Sequence, residues 1–169
     1  FFWFRRDLRL RDNHGLFRAL TSGFPVVPVF IFDEEILSKL NNRSDRRVGY
    51  IRQQINELND ELHSKGSSLI TRYGTPLQVW RQLLKEYPAT AVYANHDYEP
   101  YARERDDDIH QMFAKSKVAF HTFKDQVIFE KSEIVKDDGT PYAVFTPYKN
   151  RWMKHFSLET FPSQKHASK

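Results

Sequence analysis

A chain of 169 residues is long enough for one well-buried domain and short for two. Its formal charge of +4 permits weak attraction to a polyanion, but acidic and basic residues are interspersed, unlike the dense basic patch of a dedicated nucleic-acid module. No apolar run is long enough to cross a membrane, and the absence of cysteine excludes disulfides and thiolate metal sites while being compatible with a cytoplasmic location.

The chain opens with an aromatic run that is followed at once by clustered charges. Residues Phe1–Phe4 are apolar and of strand length, which predicts a strand buried on both faces of a parallel sheet. The charges that follow directly are those of Arg5, Arg6, Asp7 and Arg9. Open α/β sheets bind ligands at the carboxyl ends of their strands, so these side chains are candidates for a site. The alternatives are a solvated loop or a structural network of ion pairs.

The next segment predicts a capped helix, a second strand and a long loop. Asp12-Asn13 can cap a helix that ends at Ser22-Gly23. Phe24–Phe32 has the composition of a buried strand, although Pro28 lacks a ladder donor and the strand is expected to begin there. Asp33–Arg47 is polar and longer than most connections in α/β units, so we expect a loop that covers a ligand pocket.

The clearest helix runs from Val48 to Leu62, because its apolar residues recur at spacings of three and four. Gly66 is expected to end it, and Ser68–Tyr73 then predicts a third strand. Thr75 and Gln78 have the spacing of a capping box at the start of the following helix.

The second half of the chain continues the alternation of strands and helices. Thr90–Asn95 and Val118–Phe123 predict the fourth and fifth strands, with a helix that begins at Pro100 between them. Asp137-Asp138-Gly139 is a turn signal that suits a small hairpin or an excursion from the sheet. The segment Thr146–Trp152 is expected to begin a final basic helix.

This alternation predicts an α/β fold: a Rossmann-like, doubly wound, parallel five-stranded sheet of order 3-2-1-4-5, flanked by helices. The ligand crevice is expected between strands 1 and 4. Three polar segments would converge there, namely Arg5–Asp7, the loop from Asp33, and Asn95–Glu99.

The sequence contains no recognisable catalytic constellation. A glycine-rich dinucleotide fingerprint, a phosphate-binding loop and a nucleophile elbow are all missing from it, and its histidines do not have metal-ligand spacing. Asp106-Asp107-Asp108 lies on a predicted helix, where successive carboxylates point in different directions, so we expect a solvated face.

Four motifs in fixed order nevertheless carry a family resemblance. They are Phe4–Asn13, Arg47–Tyr50, Tyr93–Tyr101 with Arg103, Arg105 and Asp106, and Tyr142–Tyr148 with Trp152. Together they resemble the DNA photolyase and cryptochrome family over essentially the whole chain. The resemblance implies an amino-terminal antenna domain over residues 1–156 and a linker over 157–169 that leads to a helical domain. In the family that domain binds FAD and uses light-driven electron transfer to repair cyclobutane pyrimidine dimers.

The resemblance also implies an antenna chromophore and residues that bind it. Folate-binding members have Asn-Glu where this chain has Tyr101-Ala102, so a deazaflavin or FMN is favoured over folate. A flat ring requires an apolar slot, polar groups for its pyrimidine edge and cations for ribityl or phosphate oxygens. The implied ligands are Arg5, Phe30, Ile31, Phe32, Asp33, Arg47 and Asp97. Two simpler roles stay open, because Asp97 could cap the next helix and Arg47 could pair with Asp45.

The sequence therefore leaves four functions open. The first is the antenna domain of a deoxyribodipyrimidine photolyase, whose partners are the chromophore, its own FAD domain and damaged DNA, with no membrane involved. The others are a cryptochrome photoreceptor domain, a free-standing nucleotide-binding α/β module and an interaction domain. The chain by itself is expected to repair nothing, because it encodes no flavin cradle.

Overall fold

A computed structural model of the protein describes residues 1–40 and 45–156, and it contains a parallel five-stranded sheet of order β3-β2-β1-β4-β5. The strands are β1 Phe2–Phe4, β2 Pro28–Asp33, β3 Ile70–Gly74, β4 Ala91–Asn95 and β5 Ala119–Phe123. The helices are α1 His14–Leu20, α2 Glu34–Leu37, α3 Arg46–Ser64, α4 Pro76–Glu86, α5 Pro100–Lys115 and α6 Phe145–His155. The predicted fold class and strand order are confirmed.

The short central strand β1 separates two apolar layers. Successive strand residues point to opposite faces, so Phe2 and Phe4 face one layer and Trp3 faces the other. The first layer includes Leu16 of α1 and Ile55, Leu58 and Leu62 of α3. The second includes Trp80 and Leu83 of α4 and Ile109 and Phe113 of α5. Burial on both faces explains why β1 is aromatic throughout.

Several local signals are confirmed. Asn13 caps α1, because its side-chain oxygen accepts a hydrogen bond from the backbone N–H of Leu16 at 3.0 Å. β2 begins at Pro28, and α3 is followed by Gly66 in the left-handed region at a φ of +76°. These elements place the carboxyl ends of the strands at one edge of the sheet.

Two predictions for loops and caps are wrong. Thr75 precedes α4 but makes no side-chain cap hydrogen bond, and Gln78 is exposed, so water competes for both side chains. The predicted loop from Asp33 to Arg47 contains the short helix α2, because Asp33 caps it by accepting from the N–H of Glu35 at 3.0 Å. Residues 41–44 of that loop lie outside the described residues.

The segment 124–144, between β5 and α6, is an excursion rather than a hairpin, since these residues form no strand. A turn closes around Gly139, where the N–H of Lys136 donates to the carbonyl oxygen of Thr140 at 2.9 Å. Ile134, a residue of this segment, is buried. The predicted linker over 157–169 falls outside the described part of the chain, and none of the helices within that part is long and apolar enough to span a membrane.

Candidate ligand site at the carboxyl edge of the sheet

A buried polar cluster fills the space where β1 and β4 end. Asn95 donates from Nδ2 to Oδ2 of Asp7 and to Oδ1 of Asn13, the latter at 2.8 Å. Asn13 also donates to Asp7, with 3.2 Å between Nδ2 and Oδ2. All three side chains are buried and mutually satisfied. The cluster therefore fixes the start of α1 against both strands, and it occupies the position expected for a crevice between strands 1 and 4.

Gly15 allows α1 to approach this cluster closely. Its N–H donates to Oδ1 of Asn95 at 2.8 Å. A Cβ atom on residue 15 would lie 2.6 Å from that same oxygen and 3.0 Å from Cε2 of Phe2. Any other residue at this position would therefore require Asn95, Phe2 or α1 to move.

Arg5 is held in a buried ion pair with Asp106 of α5. Its Nη1 and Nη2 donate to the two carboxylate oxygens of Asp106 at 2.7 and 2.9 Å, and the guanidinium stacks on Trp3 at 4.0 Å from the ring centroid. Burial lowers the pKa of Arg5, and the charge of Asp106 opposes that shift. The solvated face predicted for Asp106 is therefore wrong. The structure shows Arg5 joining β1 to α5 through this ion pair. A contact between Arg5 and a chromophore stays a prediction.

Arg105 brings together the two carboxylates that the sequence nominated. Its Nη1 lies 3.9 Å from Oδ2 of Asp33, at the end of β2, and its Nη2 lies 3.9 Å from Oδ2 of Asp97, just beyond β4. Its Nε donates to Asp106 at 3.0 Å. The side chains of Asp33 and Asp97 are each 7% exposed and that of Arg105 is 8% exposed. One buried guanidinium thus neutralises carboxylates from strands on both sides of β1.

Tyr101 adds a fixed donor to this group. Its hydroxyl donates to Oδ2 of Asp33 at 2.7 Å, and burial together with this hydrogen bond raises the pKa of Tyr101. The hydroxyl consequently stays protonated. Sequence reasoning did not assign a role to Arg105 or Tyr101, although both lie in motifs that carried the family resemblance.

Arg6 and Asp97 form the exposed side of the group. The Arg6 side chain is 52% exposed, lies 3.7 Å from Asp97 and pairs with Glu99, which raises the pKa of Arg6. Glu99, rather than Asp97, is the N-cap residue of α5, so the capping role considered for Asp97 is wrong. Asp97 also lines an open pocket of about 390 Å³ on the β5 side. The expected ion pairs are present for Arg6 and for Arg9, which pairs with Asp125 at 2.8 Å, whereas Asp7 is held by hydrogen bonds from Asn13 and Asn95.

The other predicted chromophore ligands lie partly in the core and partly on the surface. Phe30 and Ile31 are buried in opposite apolar layers, while Phe32 is half-buried and packs edge-on against Phe30 at 5.1 Å. Arg47 is exposed and pairs with Asp45 at 2.7 Å, which confirms that alternative. The hydrogen bonds from Arg47 lower the pKa of Asp45 to about 2. Within the described ranges, Arg47 forms no ion pair with Asp33 or Asp97.

Fold and polar cluster together define a doubly wound α/β domain whose sheet carries a buried group of charged side chains at its carboxyl edge, where such folds bind ligands. The family model for DNA photolyase matches residues 1–166, and the chain belongs to the DNA photolyase family.

Relatives and solved structures agree. The chain is 33% identical over 151 residues to a deoxyribodipyrimidine photo-lyase of a Synechococcus species, covering 89% of this chain and 31% of the relative. A class III photolyase from Agrobacterium tumefaciens superposes with a TM-score of 0.84 at 27% identity, covering 97% of this chain and 33% of the other. A photolyase from Sulfolobus tokodaii, solved with two FAD molecules, superposes with a TM-score of 0.71 at 34% identity, covering 80% of this chain and 31% of the other. The chain spans about a third of the length of these relatives and corresponds to their amino-terminal α/β domain.

Proposed function

We propose that this chain is the light-harvesting domain of a deoxyribodipyrimidine photolyase. In this proposal it binds a planar antenna chromophore and passes excitation energy to FAD, which the carboxyl-terminal domain of a longer protein holds. That longer protein repairs cyclobutane pyrimidine dimers in DNA under light, in the cytoplasm. Membership of the DNA photolyase family supports the proposal, and so does the Sulfolobus tokodaii photolyase, whose two FAD molecules imply a novel light-harvesting cofactor in that protein.

The observation that carries the proposal is the arrangement of Asp33 and Asp97 on either side of Arg105, at 3.9 Å each. Buried carboxylates that keep spare acceptor capacity suit the N–H groups on the pyrimidine edge of a flavin-like ring. Phe32 is half-buried at the end of β2 and offers an apolar surface for the ring face. The half-exposed guanidinium of Arg6 is available for ribityl or phosphate oxygens.

The seven nominated residues take different parts in this proposal. Asp33 and Asp97 bind polar groups of the ring, Phe32 contacts its face, and Arg47 binds the terminal phosphate of FMN. The other three support the site from within the fold: Phe30 and Ile31 anchor the end of β2 in the two apolar layers, and Arg5 joins β1 to α5.

A deazaflavin or FMN is proposed as the chromophore in preference to folate. Ala102 is fully buried against the core, and Tyr101 is already hydrogen-bonded to Asp33. A polar Asn-Glu pair in their place would need space and partners that this packing does not supply.

Titration of the protein with FMN and with a deazaflavin riboside, followed by chromophore fluorescence, tests the proposal. A folate and ATP serve as comparison ligands. Saturable binding of either flavin-type ring, and weak binding of the other two, is the expected result. Binding of ATP alone would instead identify a free-standing nucleotide-binding module.

The enzymatic part of the proposal is tested on the full-length gene product. We expect light-dependent repair of cyclobutane pyrimidine dimers by that product and none by the 169-residue chain. Absence of repair by the full-length product would favour a cryptochrome photoreceptor.

A further inference from the structure

We propose that Glu130 is a positioning residue for the ligand site. It lies in the excursion 124–144 and fixes the turn that presents Asp97, because it holds the side chains on both sides of that residue. The inference rests on the proposed function for the ligand-binding role of Asp97. It assigns a role to an excursion for which the sequence suggested only a turn.

The contacts converge on one carboxylate. Nδ1 of His96 lies 2.9 and 2.8 Å from the two oxygens of Glu130, and the hydroxyl of Tyr98 donates to Oε1 at 2.9 Å. His96 and Tyr98 are the immediate neighbours of Asp97, in a stretch that belongs to no helix or strand. The backbone N–H of His96 donates to the carbonyl oxygen of Phe123 at 2.8 Å, so strand-like pairing ends one residue before Asp97 and the flanking side chains hold the turn beyond that point.

The contacts of Asp97 are too long to fix its position. Its carboxylate lies 3.7 Å from Arg6 and 3.9 Å from Arg105, beyond hydrogen-bonding distance in both cases. The contacts made by Glu130 are about 1 Å shorter and directional. The geometry of the Asp97 turn is therefore set by Glu130 more than by the ion pairs that Asp97 makes.

The Glu130 carboxylate is well placed for this role. Its side chain is 9% exposed, so water competes little for its oxygens. Burial raises the pKa of Tyr98, and the hydrogen bond to Glu130 raises it further, so the hydroxyl remains a donor. The backbone N–H of Glu130 donates in turn to the carboxylate of Glu133, which pairs with Lys124 at 2.7 Å.

A second tether holds the excursion independently. Asp125 accepts from Arg9 at 2.8 Å and from the backbone N–H of His14 at 2.9 Å. Loss of the Glu130 carboxylate should therefore loosen the Asp97 turn without releasing the excursion from the sheet. This separation makes a positioning role distinguishable from general destabilisation.

The test compares Glu130→Ala, Glu130→Gln and a control, Asp137→Asn, which alters an exposed carboxylate of the same excursion. Hydrogen exchange is measured on the peptide that contains residues 96–98, and FMN binding is measured by titration and by induced circular dichroism. Glu130→Ala should speed hydrogen exchange in that peptide and weaken FMN binding by about tenfold. A tenfold change in affinity is at the lower end of what the loss of one hydrogen bond to a charged group costs. Glu130→Gln keeps an oxygen acceptor and should restore most of both properties, while the control should match wild type.

Wild-type exchange and wild-type affinity in Glu130→Ala would overturn the inference. Equal defects in the Gln and Ala variants would also overturn it, because a hydrogen-bonding role requires rescue. Failure of the wild-type protein to bind any flavin-type ring would contradict the proposed function, whereas exchange at residues 96–98 would still decide whether Glu130 fixes the turn.

Discussion

The replacement Gly15→Ala tests the close approach of α1 to the end of β4. The added Cβ would lie 2.6 Å from Oδ1 of Asn95, the atom that accepts the N–H of residue 15 itself. Either the new methyl group is compressed against Asn95, or α1 moves away and leaves that buried oxygen without its donor. Overpacking and an unsatisfied buried acceptor each cost about 1–3 kcal/mol, and the two are alternatives rather than a sum.

We therefore expect Gly15→Ala to lower the free energy of unfolding by about 1–3 kcal/mol. Gly49→Ala is the matched control, since Gly49 is an exposed residue of α3 with nothing within 4 Å of an added Cβ. There the better helix propensity of alanine should stabilise the protein by about 0.5–1 kcal/mol. Urea unfolding followed by tryptophan fluorescence measures both. Equal or greater stability of Gly15→Ala relative to wild type would refute the packing argument.

Three further replacements test the ion pairs and the site. Asp106→Asn leaves the buried guanidinium of Arg5 without its charged partner and should cost about 3 kcal/mol in urea unfolding; a loss below about 1 kcal/mol would show that this pair does not need its charge. Tyr101→Phe removes the hydroxyl that donates a hydrogen bond to Asp33, so thermal unfolding should show a loss of about 1 kcal/mol in the free energy of unfolding. Titration should show a weaker affinity for FMN, and an unchanged affinity would argue against Asp33 as a ligand. Arg47→Ala, in an exposed pair, should leave the urea midpoint unchanged but weaken binding of FMN more than of riboflavin, and equal losses for the two would exclude a contact with the phosphate.

The fold was predictable because its signals are local and repeated. The strands β1, β2 and β4 appear in the sequence as apolar runs, and the aromatic run at Phe2–Phe4 identifies a strand covered on both faces. The location of Asp33 and Asp97 was also predictable, since Asp33 is the last residue of β2, Asp97 comes shortly after β4, and the ends of parallel strands share one edge of the sheet. Their mutual proximity follows from the strand order.

The rest of the site depends on geometry that periodicity does not encode. Asp106 lies in a run of three similar carboxylates, and only the orientation of α5 decides that it faces Arg5 while its neighbours face solvent. Arg105 reaches from the same helix to two strand ends for the same reason. The role of Glu130 depends on where an irregular excursion returns to the sheet. No spacing rule predicts that contact.

The absorption spectrum of the protein purified from its native host shows whether this domain carries an antenna chromophore. We expect a near-ultraviolet or blue chromophore that is released on denaturation and identified as a deazaflavin or a flavin. A colourless protein that carries an adenine nucleotide, or no bound molecule, would contradict the proposed function.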